Sequence, residues 1–297
     1  MAEQDATDWQ SALLQRHQLD TGYLDTARTW FDPLANALAA FQREKSRPVL
    51  VALNGCQGSG KTTLCDYLCR ALTEEHALNT VALSLDDFYL THAERQQLAA
   101  TVHPLFATRG VPGTHDIGLL QQTLEQLLHP AGNQPAKIPR FDKATDDRRS
   151  PPDWDIVTDP AQVVLLEGWC LGAGPERAKN LSSPINDLER REDPDGRWRG
   201  YVDEVLRNEF PALYNSVDQW IMLRAPSFDC VYAWRREQER KLAATLPAER
   251  AAQLMDDRAL ERFIQHYERL TRQCLSHLPQ KVHYLFSLDK ARRITDY

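Results

Sequence analysis

One glycine-rich stretch constrains the fold of this chain more than any other feature. Residues 49–53 read Val-Leu-Val-Ala-Leu, an apolar run typical of a buried strand. The pattern Gly-x-x-x-x-Gly-Lys-Thr follows at residues 55–62, and leucines then recur every fourth residue from 64 to 72, which predicts a helix. A strand, a glycine loop and a helix in this order form the setting of a phosphate-binding P-loop.

The residue types in this loop fit the chemistry of phosphate binding. Glycines allow the backbone to curl until its N–H groups face phosphate oxygens, and the helix that begins beyond Gly60 adds the positive end of its dipole. Lys61 supplies a charge for the β- and γ-phosphates, and Thr62 supplies a hydroxyl for Mg²⁺. The predicted nucleotide-binding residues are Gly55, Cys56, Gln57, Gly58, Ser59, Gly60, Lys61, Thr62 and Thr63.

Charge and composition exclude several classes of partner. The 297 residues are 42% hydrophobic and 26% charged, as in a soluble globular protein. A net charge of −7 argues against nucleic acid or an anionic membrane as the main partner, so anionic ligands must meet local clusters of Lys and Arg. The amino terminus lacks the pattern of a signal peptide, and we predict a cytoplasmic protein. The oligomeric state does not follow from the sequence.

The six cysteines lie far apart and form no zinc-binding set, which predicts reduced thiols. Cys56 lies inside the phosphate loop, so its oxidation could block nucleotide binding, although no sequence feature indicates that it does.

The chain divides into a helical amino-terminal extension, residues 1–45, and a P-loop domain, residues 46–297. In the extension, Trp30, Leu34, Leu38 and Phe41 recur on one helical face, which favours packing over ligand binding. Residues 93–105 are predicted to be helical, residues 109–116 to be a loop, and residues 176–200 to be a surface excursion. Residues 130–160 are rich in proline and charge and fit a solvated loop, although a cluster of both signs beside a short strand could also hold a small polar acceptor.

Carboxylates follow two of the predicted strands. Residues 80–85 alternate as a strand and end in Asp86 and Asp87, and the buried strand 163–166 ends in Glu167. Ligands of open parallel α/β sheets bind at the carboxyl ends of strands. Glu167 is therefore a candidate for the carboxylate that completes a magnesium site. Because successive strand residues point to opposite faces, only one of Asp86 and Asp87 is expected to face a nucleotide.

A basic helix follows the predicted strand 219–223 and carries Arg235, Arg236 and Arg240. Such a face can be merely solvated. In a P-loop protein it can also be a lid, about residues 226–245, that closes over the phosphates. Adjacent helical residues diverge by about 100°, so Arg235 and Arg236 cannot both face one phosphate, whereas Arg236 and Arg240 share a face.

Taken together, these motifs resemble the P-loop small-molecule kinases that include uridine kinase, phosphoribulokinase and pantothenate kinase, and within them D-glycerate 3-kinase and its fungal and bacterial relatives. The resemblance runs from about Val49 to the carboxyl terminus. The signatures are residues 55–63, Ser-Leu-Asp-Asp-Phe-Tyr-Leu-Thr at 84–91, Arg-Gly-Val-Pro-Gly-Thr-His-Asp at 109–116, Pro-Arg-Phe-Asp-Lys at 139–143, Leu-Glu-Gly-Trp at 166–169, and Trp-Arg at 234–235.

The resemblance implies a three-layer α/β P-loop fold with a mostly parallel central sheet and a helical lid. It implies that Asp86 acts as base or magnesium partner, that Glu167 is linked to the metal, and that Arg235 is the lid arginine, with Arg240 as a supporting contact. The expected acceptor residues are Asp87, Tyr89, Arg109, His115, Asp116, Arg140, Lys143 and Arg148.

The predicted activity is transfer of the γ-phosphoryl group of MgATP to a small hydroxylated acceptor, with D-glycerate as the first candidate. An acid acceptor needs a cation for its carboxylate, and Arg140 is the first choice because arginine can bind a carboxylate with two hydrogen bonds. Three alternatives remain. They are a kinase for another acceptor, such as a nucleoside or a pantothenate-like acid; a P-loop switch or regulatory ATPase; and a nucleic-acid-binding NTPase. A guanine-reading Asn-Lys-x-Asp motif is absent from the sequence, and the net charge of −7 opposes the third alternative.

Overall fold

The computed structural model describes residues 6–130, 132, 134–245 and 255–296. Its strands are β1 (Val49–Gly55), β2 (Thr80–Ser84), β3 (Ala136–Ile138), β4 (Phe141–Asp142), β5 (Asp147–Arg148), β6 (Asp155–Val157), β7 (Val163–Gly168), β8 (Gln219–Arg224), β9 (Tyr284–Leu288) and β10 (Ile294–Asp296).

The helices are α1 (Asp8–His17), α2 (Gly22–Thr26), α3 (Asp32–Lys45), α4 (Lys61–Glu74), α5 (His92–Thr101), α6 (Ile117–Leu128), α7 (Ala178–Leu181), α8 (Asp187–Glu192), α9 (Arg197–Asn208), α10 (Phe210–Asn215), α11 (Asp229–Thr245) and α12 (Asp257–His277). A π-helical turn, Ala27–Phe31, joins α2 to α3, and short 3₁₀ turns cover Leu85–Phe88 and Pro104–Ala107. Among the described residues, no helix is both long enough and apolar enough to cross a membrane.

Six strands form the central sheet in the order β10-β9-β8-β1-β7-β2. All neighbouring pairs are parallel except β9 and β10. The P-loop strand β1 lies in the middle, and the register places Glu167 of β7 opposite both Leu53 of β1 and Ser84 of β2. The carboxyl ends of these three strands therefore meet at one edge, where the candidate site lies.

Alternation along the buried strands supplies a core on each face of the sheet. One core joins Leu50 and Leu166 to helices α6, α9, α10 and α12. The other joins Val51 and Leu165 to α1, α3, α4, α11 and the first half of α12. Helices on both faces of a mostly parallel sheet confirm the predicted three-layer fold.

The amino-terminal extension packs as part of this second core. Leu34 and Leu38 of α3 are fully buried there, whereas Trp30 and Phe41 pack against it while half-buried. The extension thus lies against the P-loop helix α4, with which α1 and α3 are both in contact.

Three local predictions were wrong in detail. The described part of residues 130–160 is not a simple loop, because β3 pairs with β6 and β4 pairs with β5, both antiparallel. The helix predicted over residues 93–105 ends at Thr101, and a 3₁₀ turn begins at Pro104, because proline cannot continue a helix. The excursion 176–200 is more ordered than predicted. Buried Arg269 of α12 donates hydrogen bonds to the Glu189 carboxylate and to the carbonyl oxygens of Asn180 and Ser183, and so fastens this segment to the core.

Candidate active site

The phosphate loop has the backbone geometry that its glycines predict. Gly58 and Gly60 have φ angles of +79° and +92°, in the left-handed region that favours glycine. Among the described residues, no side chain caps the N-terminus of α4 at Gly60, so the first N–H groups of this helix remain available for an anion.

Cys56 lies buried in this loop, and burial raises the pKa of its thiol to about 12. Thiolate, not thiol, is the form that reacts with oxidants, so the structure disfavours a redox role for Cys56.

Glu167 lies at the centre of the sheet edge and is buried. Its Oε1 accepts hydrogen bonds from the Thr62 hydroxyl at 3.0 Å and from the Ser84 hydroxyl at 2.9 Å. Its Oε2 lies 3.9 Å from Lys61 Nζ and has no hydrogen-bond partner among the described residues. A buried carboxylate oxygen without a hydrogen bond, next to a threonine hydroxyl, fits the oxygen ligands that Mg²⁺ prefers.

Asp86 faces the phosphate loop. Its carboxylate accepts hydrogen bonds from Lys143 Nζ at 2.8 Å and from the Tyr89 hydroxyl at 2.9 Å. Burial tends to raise the pKa of Asp86, but the charges of Lys143 and Lys61 outweigh burial, so the pKa lies below its ordinary value. Asp86 is therefore ionised and is held by a lysine and a tyrosine that were both predicted to contact the acceptor.

Asp87 points to a different set of partners. It accepts hydrogen bonds from Arg140 Nη1 at 2.7 Å and from the Phe141 backbone N–H at 3.1 Å. The two aspartates diverge as predicted, but for another reason. They lie on the 3₁₀ turn Leu85–Phe88, so the alternation of a strand does not apply.

His115 lies beneath the site. Its ring stacks on Tyr89 with the ring centroids 4.5 Å apart, and burial lowers its pKa to about 4. Neither ring nitrogen has a hydrogen-bond partner among the described residues. His115 thus supports Tyr89, which in turn binds Asp86, and it is not exposed to solvent.

The remaining acceptor candidates are held in ion pairs. Arg148 pairs with Asp116 at 3.0 Å, and the other oxygen of Asp116 caps α6 by accepting from the Leu119 N–H. Arg109 pairs with Asp146, which lies in the turn between β4 and β5. The structure thus brings Lys143 and Tyr89 to Asp86, whereas most of the other predicted acceptor residues bind one another.

The basic helix α11 packs directly on the phosphate loop. A Cβ atom on Gly58 would lie 2.6 Å from the Cβ of Trp234, so glycine is the residue that permits this contact. Arg235 pairs with Glu239 at 2.5 Å and lies over the Phe263 ring at 5.9 Å. Arg236 instead pairs with Asp257 at 2.6 Å.

Arg240 is exposed and lines an open groove along α11 together with Arg236 and Tyr232. The structure thus groups Arg240 with Arg236, as helical spacing predicts, and the supporting contact of Arg240 to nucleotide stays a prediction.

Comparison with known proteins places this site in a family. The Zeta toxin family model matches residues 34–126. The uncharacterized kinase mug58 of Schizosaccharomyces pombe is 30% identical over 269 residues, which cover 86% of this chain and 88% of the relative. Chloroplastic D-glycerate 3-kinase of Arabidopsis thaliana is 32% identical over 204 residues, which are 65% of this chain but 41% of the plant enzyme. The chain belongs to the P-loop kinase family that includes D-glycerate 3-kinase.

A solved structure agrees with the fold of this P-loop kinase. D-glycerate 3-kinase from Cryptococcus neoformans superimposes with a TM-score of 0.73 and covers 91% of this chain and 97% of its own. The sequence identity is 24%, so this likeness bears on the fold alone. Family membership implies that the kinase binds a nucleotide, ATP, at the P-loop.

Sequence reasoning missed several residues around the kinase site. Ser84 binds Glu167, Asp155 binds Arg140, Asp146 binds Arg109, and the Tyr267 hydroxyl donates to the Arg109 carbonyl. Ser84 could have been found, because it is a polar residue at a strand end beside Asp86. The others come from distant segments and have no local signal.

Lys61→Ala should lower turnover by at least about a hundredfold, the order expected for loss of one charged donor to a transition state. The fold should persist, because the ion pair that Lys61 makes within the described part of the chain, to Glu167, is 3.9 Å long. Steady-state ATP turnover and thermal melting of the variant test this together. A folded variant that keeps more than about a tenth of wild-type activity would contradict the role of the loop.

Proposed function

We propose that this kinase transfers the γ-phosphoryl group of MgATP to a hydroxyl group of a small organic acid, with D-glycerate as the first candidate. The observation that carries the proposal is the ion pair between Lys143 Nζ and Asp86 Oδ2, 2.8 Å long, beside the phosphate loop. In this ion pair, Lys143 is a cation that an acceptor carboxylate can displace from Asp86. Asp86 is a carboxylate suited to bind the acceptor hydroxyl. The D-glycerate 3-kinase among the relatives supports the choice of acid.

The proposed binding of MgATP rests on the phosphate loop and on Glu167. Glu167 and Thr62 would hold Mg²⁺, which would neutralise charge on the β- and γ-phosphates when bound. Lys61 neutralises the same phosphates from the loop, and the N–H groups at the start of α4 orient them. Phosphoryl transfer needs little covalent chemistry from the protein, so positioning and charge neutralisation supply most of the rate.

Asp86 acts on the acceptor. The acceptor oxygen attacks the γ-phosphorus, the bond from that phosphorus to the leaving ADP oxygen breaks, and the hydroxyl proton passes to Asp86. The low pKa of Asp86 makes it a weak base. A weak base suffices if the transition state is loose, because little bonding to the attacking oxygen has then formed.

The four predicted acceptor cations differ in how firmly they are held. Arg140 donates to Asp155 through Nε and Nη2 and to Asp87 through Nη1. All three nitrogens of its guanidinium group therefore already bind carboxylates. Within the described residues Lys143 has one carboxylate partner, Asp86, and its side chain is 63% exposed. We therefore transfer the acceptor-carboxylate role from Arg140, the choice made from sequence, to Lys143, and Arg140 becomes a residue that positions Asp87.

Binding of an acid would also change Asp86. A carboxylate that binds Lys143 removes the nearest cation from Asp86, and the basicity of Asp86 then rises. The acceptor would thus activate the group that takes its proton. A neutral alcohol would leave the ion pair in place and would not gain this effect.

Lys143→Ala should raise the KM for an acid acceptor by about tenfold or more, as expected for loss of a hydrogen bond to a charged group, with the KM for ATP nearly unchanged. The exposed Arg149 of the same hairpin offers a matched control, and Arg149→Ala should change neither value appreciably. Initial rates with each substrate varied in turn give both constants. Equal increases in the two KM values after Lys143→Ala would contradict the role.

The experiment that tests the function is ATP consumption by the purified protein with a panel of hydroxy acids, nucleosides and pantothenate, followed by identification of the phosphorylated product. D-glycerate should give the highest kcat/KM. Preference for a nucleoside or another uncharged alcohol would overturn the acid acceptor while leaving a kinase. Turnover that no acceptor stimulates would overturn the kinase proposal.

A further inference from the structure

His17, the last residue of α1, lies against the P-loop helix. Its Nε2 is 2.9 Å from Asp66 Oδ2 and its Nδ1 is 3.4 Å from the Thr63 hydroxyl oxygen. The His17 side chain is only 17% exposed. A histidine of the amino-terminal extension therefore contacts Thr63, in the first turn of the P-loop helix.

The direction of the bond to Asp66 follows from the chemistry of the partners. The Asp66 carboxylate is ionised, since its hydrogen bond to His17 lowers its pKa. An ionised carboxylate only accepts, so His17 Nε2 carries a proton and donates it to this bond. The other ring nitrogen, Nδ1, forms a hydrogen bond with the Thr63 hydroxyl, and this bond limits the rotamers of Thr63.

Thr63 occupies the first turn of α4, where backbone N–H groups have no carbonyl partner inside the helix. These groups form the anion-binding end of the helix. A residue that holds the side chain of Thr63 also limits the movement of this turn. The hydrogen bond between His17 and Thr63 therefore connects the amino-terminal extension to the helix turn that is expected to bind the phosphates.

The extension is itself firmly placed. Leu13 is buried in the core that includes the P-loop helix, Trp9 packs edge-on against Tyr67 of α4 at 5.2 Å, and the Tyr67 hydroxyl donates to Asp32. His17 is thus held before nucleotide arrives, as a positioning residue requires.

We propose that His17 is a nucleotide-positioning residue, which through Thr63 holds the first turn of the P-loop helix in the orientation that receives the phosphates. The amino-terminal extension is then a working part of the nucleotide site. This inference rests on the proposed binding of ATP at the loop.

Two substitutions separate the two bonds of His17. Asparagine places an amide group near the position of Nδ1 and cannot reach Asp66, whereas glutamine places a donor near the position of Nε2 and leaves Thr63 without its partner. His17→Gln should therefore raise the Kd for ATP by about three- to tenfold, the range expected for one hydrogen bond. His17→Asn should stay within about twofold of wild type.

Arg16→Ala is the control for simple anchoring of the extension. Arg16 pairs with the same Asp66 at 3.3 Å but is 60% exposed and makes no hydrogen bond to Thr63. It should alter the melting temperature as much as His17→Gln does, without weakening ATP binding. A matching loss of affinity in Arg16→Ala would show that His17 acts only by anchoring α1, and would overturn the proposal.

Calorimetric titration of the full chain with ATP and MgCl₂, without acceptor, measures the affinity. The effect of His17→Gln should vanish when Thr63 is already replaced by valine, because the two changes break the same bond. Additive losses, or wild-type affinity in His17→Gln, would overturn the inference. If the wild-type chain does not bind ATP, the proposed function itself fails, so the two failures are distinct.

Discussion

Arg235→Ala is expected to lower kcat by about 10³- to 10⁵-fold with only a modest change in the KM for ATP, as arginine fingers do in related phosphoryl transfers. The arginine that stabilises the transferring group acts mainly in the transition state, so its loss affects kcat more than ground-state binding.

The packing of α11 supports this choice of arginine. Trp234 is fixed against Gly58, and its indole N–H donates to the Lys290 carbonyl at 2.9 Å, so the turn of α11 that carries Arg235 packs on the phosphate loop. Arg235 lies over the Phe263 ring, and Phe263 packs edge-on against the buried Tyr267. Arg235 therefore lies on the side of α11 that packs against α12.

Arg236→Ala is the matched control. Arg236 pairs with Asp257, so its substitution should cost little activity. Arg240→Ala should cost less activity than Arg235→Ala, because Arg240 is predicted only as a supporting contact. Single-turnover and steady-state rates of the three variants test these expectations. Comparable small losses in all three would leave α11 as a solvated surface outside the mechanism.

Asp86→Asn is expected to lower kcat by about 10²- to 10⁴-fold, the usual contribution of a general base. Asparagine keeps the size of the side chain and can still accept the hydrogen bond from the Tyr89 hydroxyl, so the local structure should persist. It cannot take a proton and loses the charge that holds Lys143. The affinity for ATP, measured without acceptor, should change little.

Asp87→Asn separates this role from a general effect of charge. Asp87 binds Arg140 and the Phe141 N–H rather than Lys143. Asp87→Asn should therefore loosen the β4–β5 hairpin and lower thermal stability more than kcat. If Asp87→Asn proved the severe change in kcat and Asp86→Asn the mild one, the base would have to be reassigned.

Local features of this kinase could be predicted from the sequence because their causes are local. Gly58 and Gly60 adopt positive φ angles that few other residues tolerate, so the pattern of residues 55–62 predicts a loop conformation directly. Strand and helix periods predict which faces are buried, and the resemblance of the motifs to P-loop kinases implies the layered fold. The meeting of Ser84 and Glu167 follows from the rule that parallel strands end at one edge.

The partners of the charged side chains were decided only by the tertiary structure. Arginine is a residue suited to binding an acid, yet the guanidinium group of Arg140 donates to Asp155, 15 residues away. His17 contacts Thr63 across 46 residues, and no periodicity or motif relates the two positions. Charged and hydrogen-bonding groups are satisfied by whichever partner the packed backbone brings within about 3 Å, and that choice depends on the whole topology. The sequence by itself therefore determined the fold and the phosphate loop, whereas only the packed chain determined which cations remain available to an acceptor.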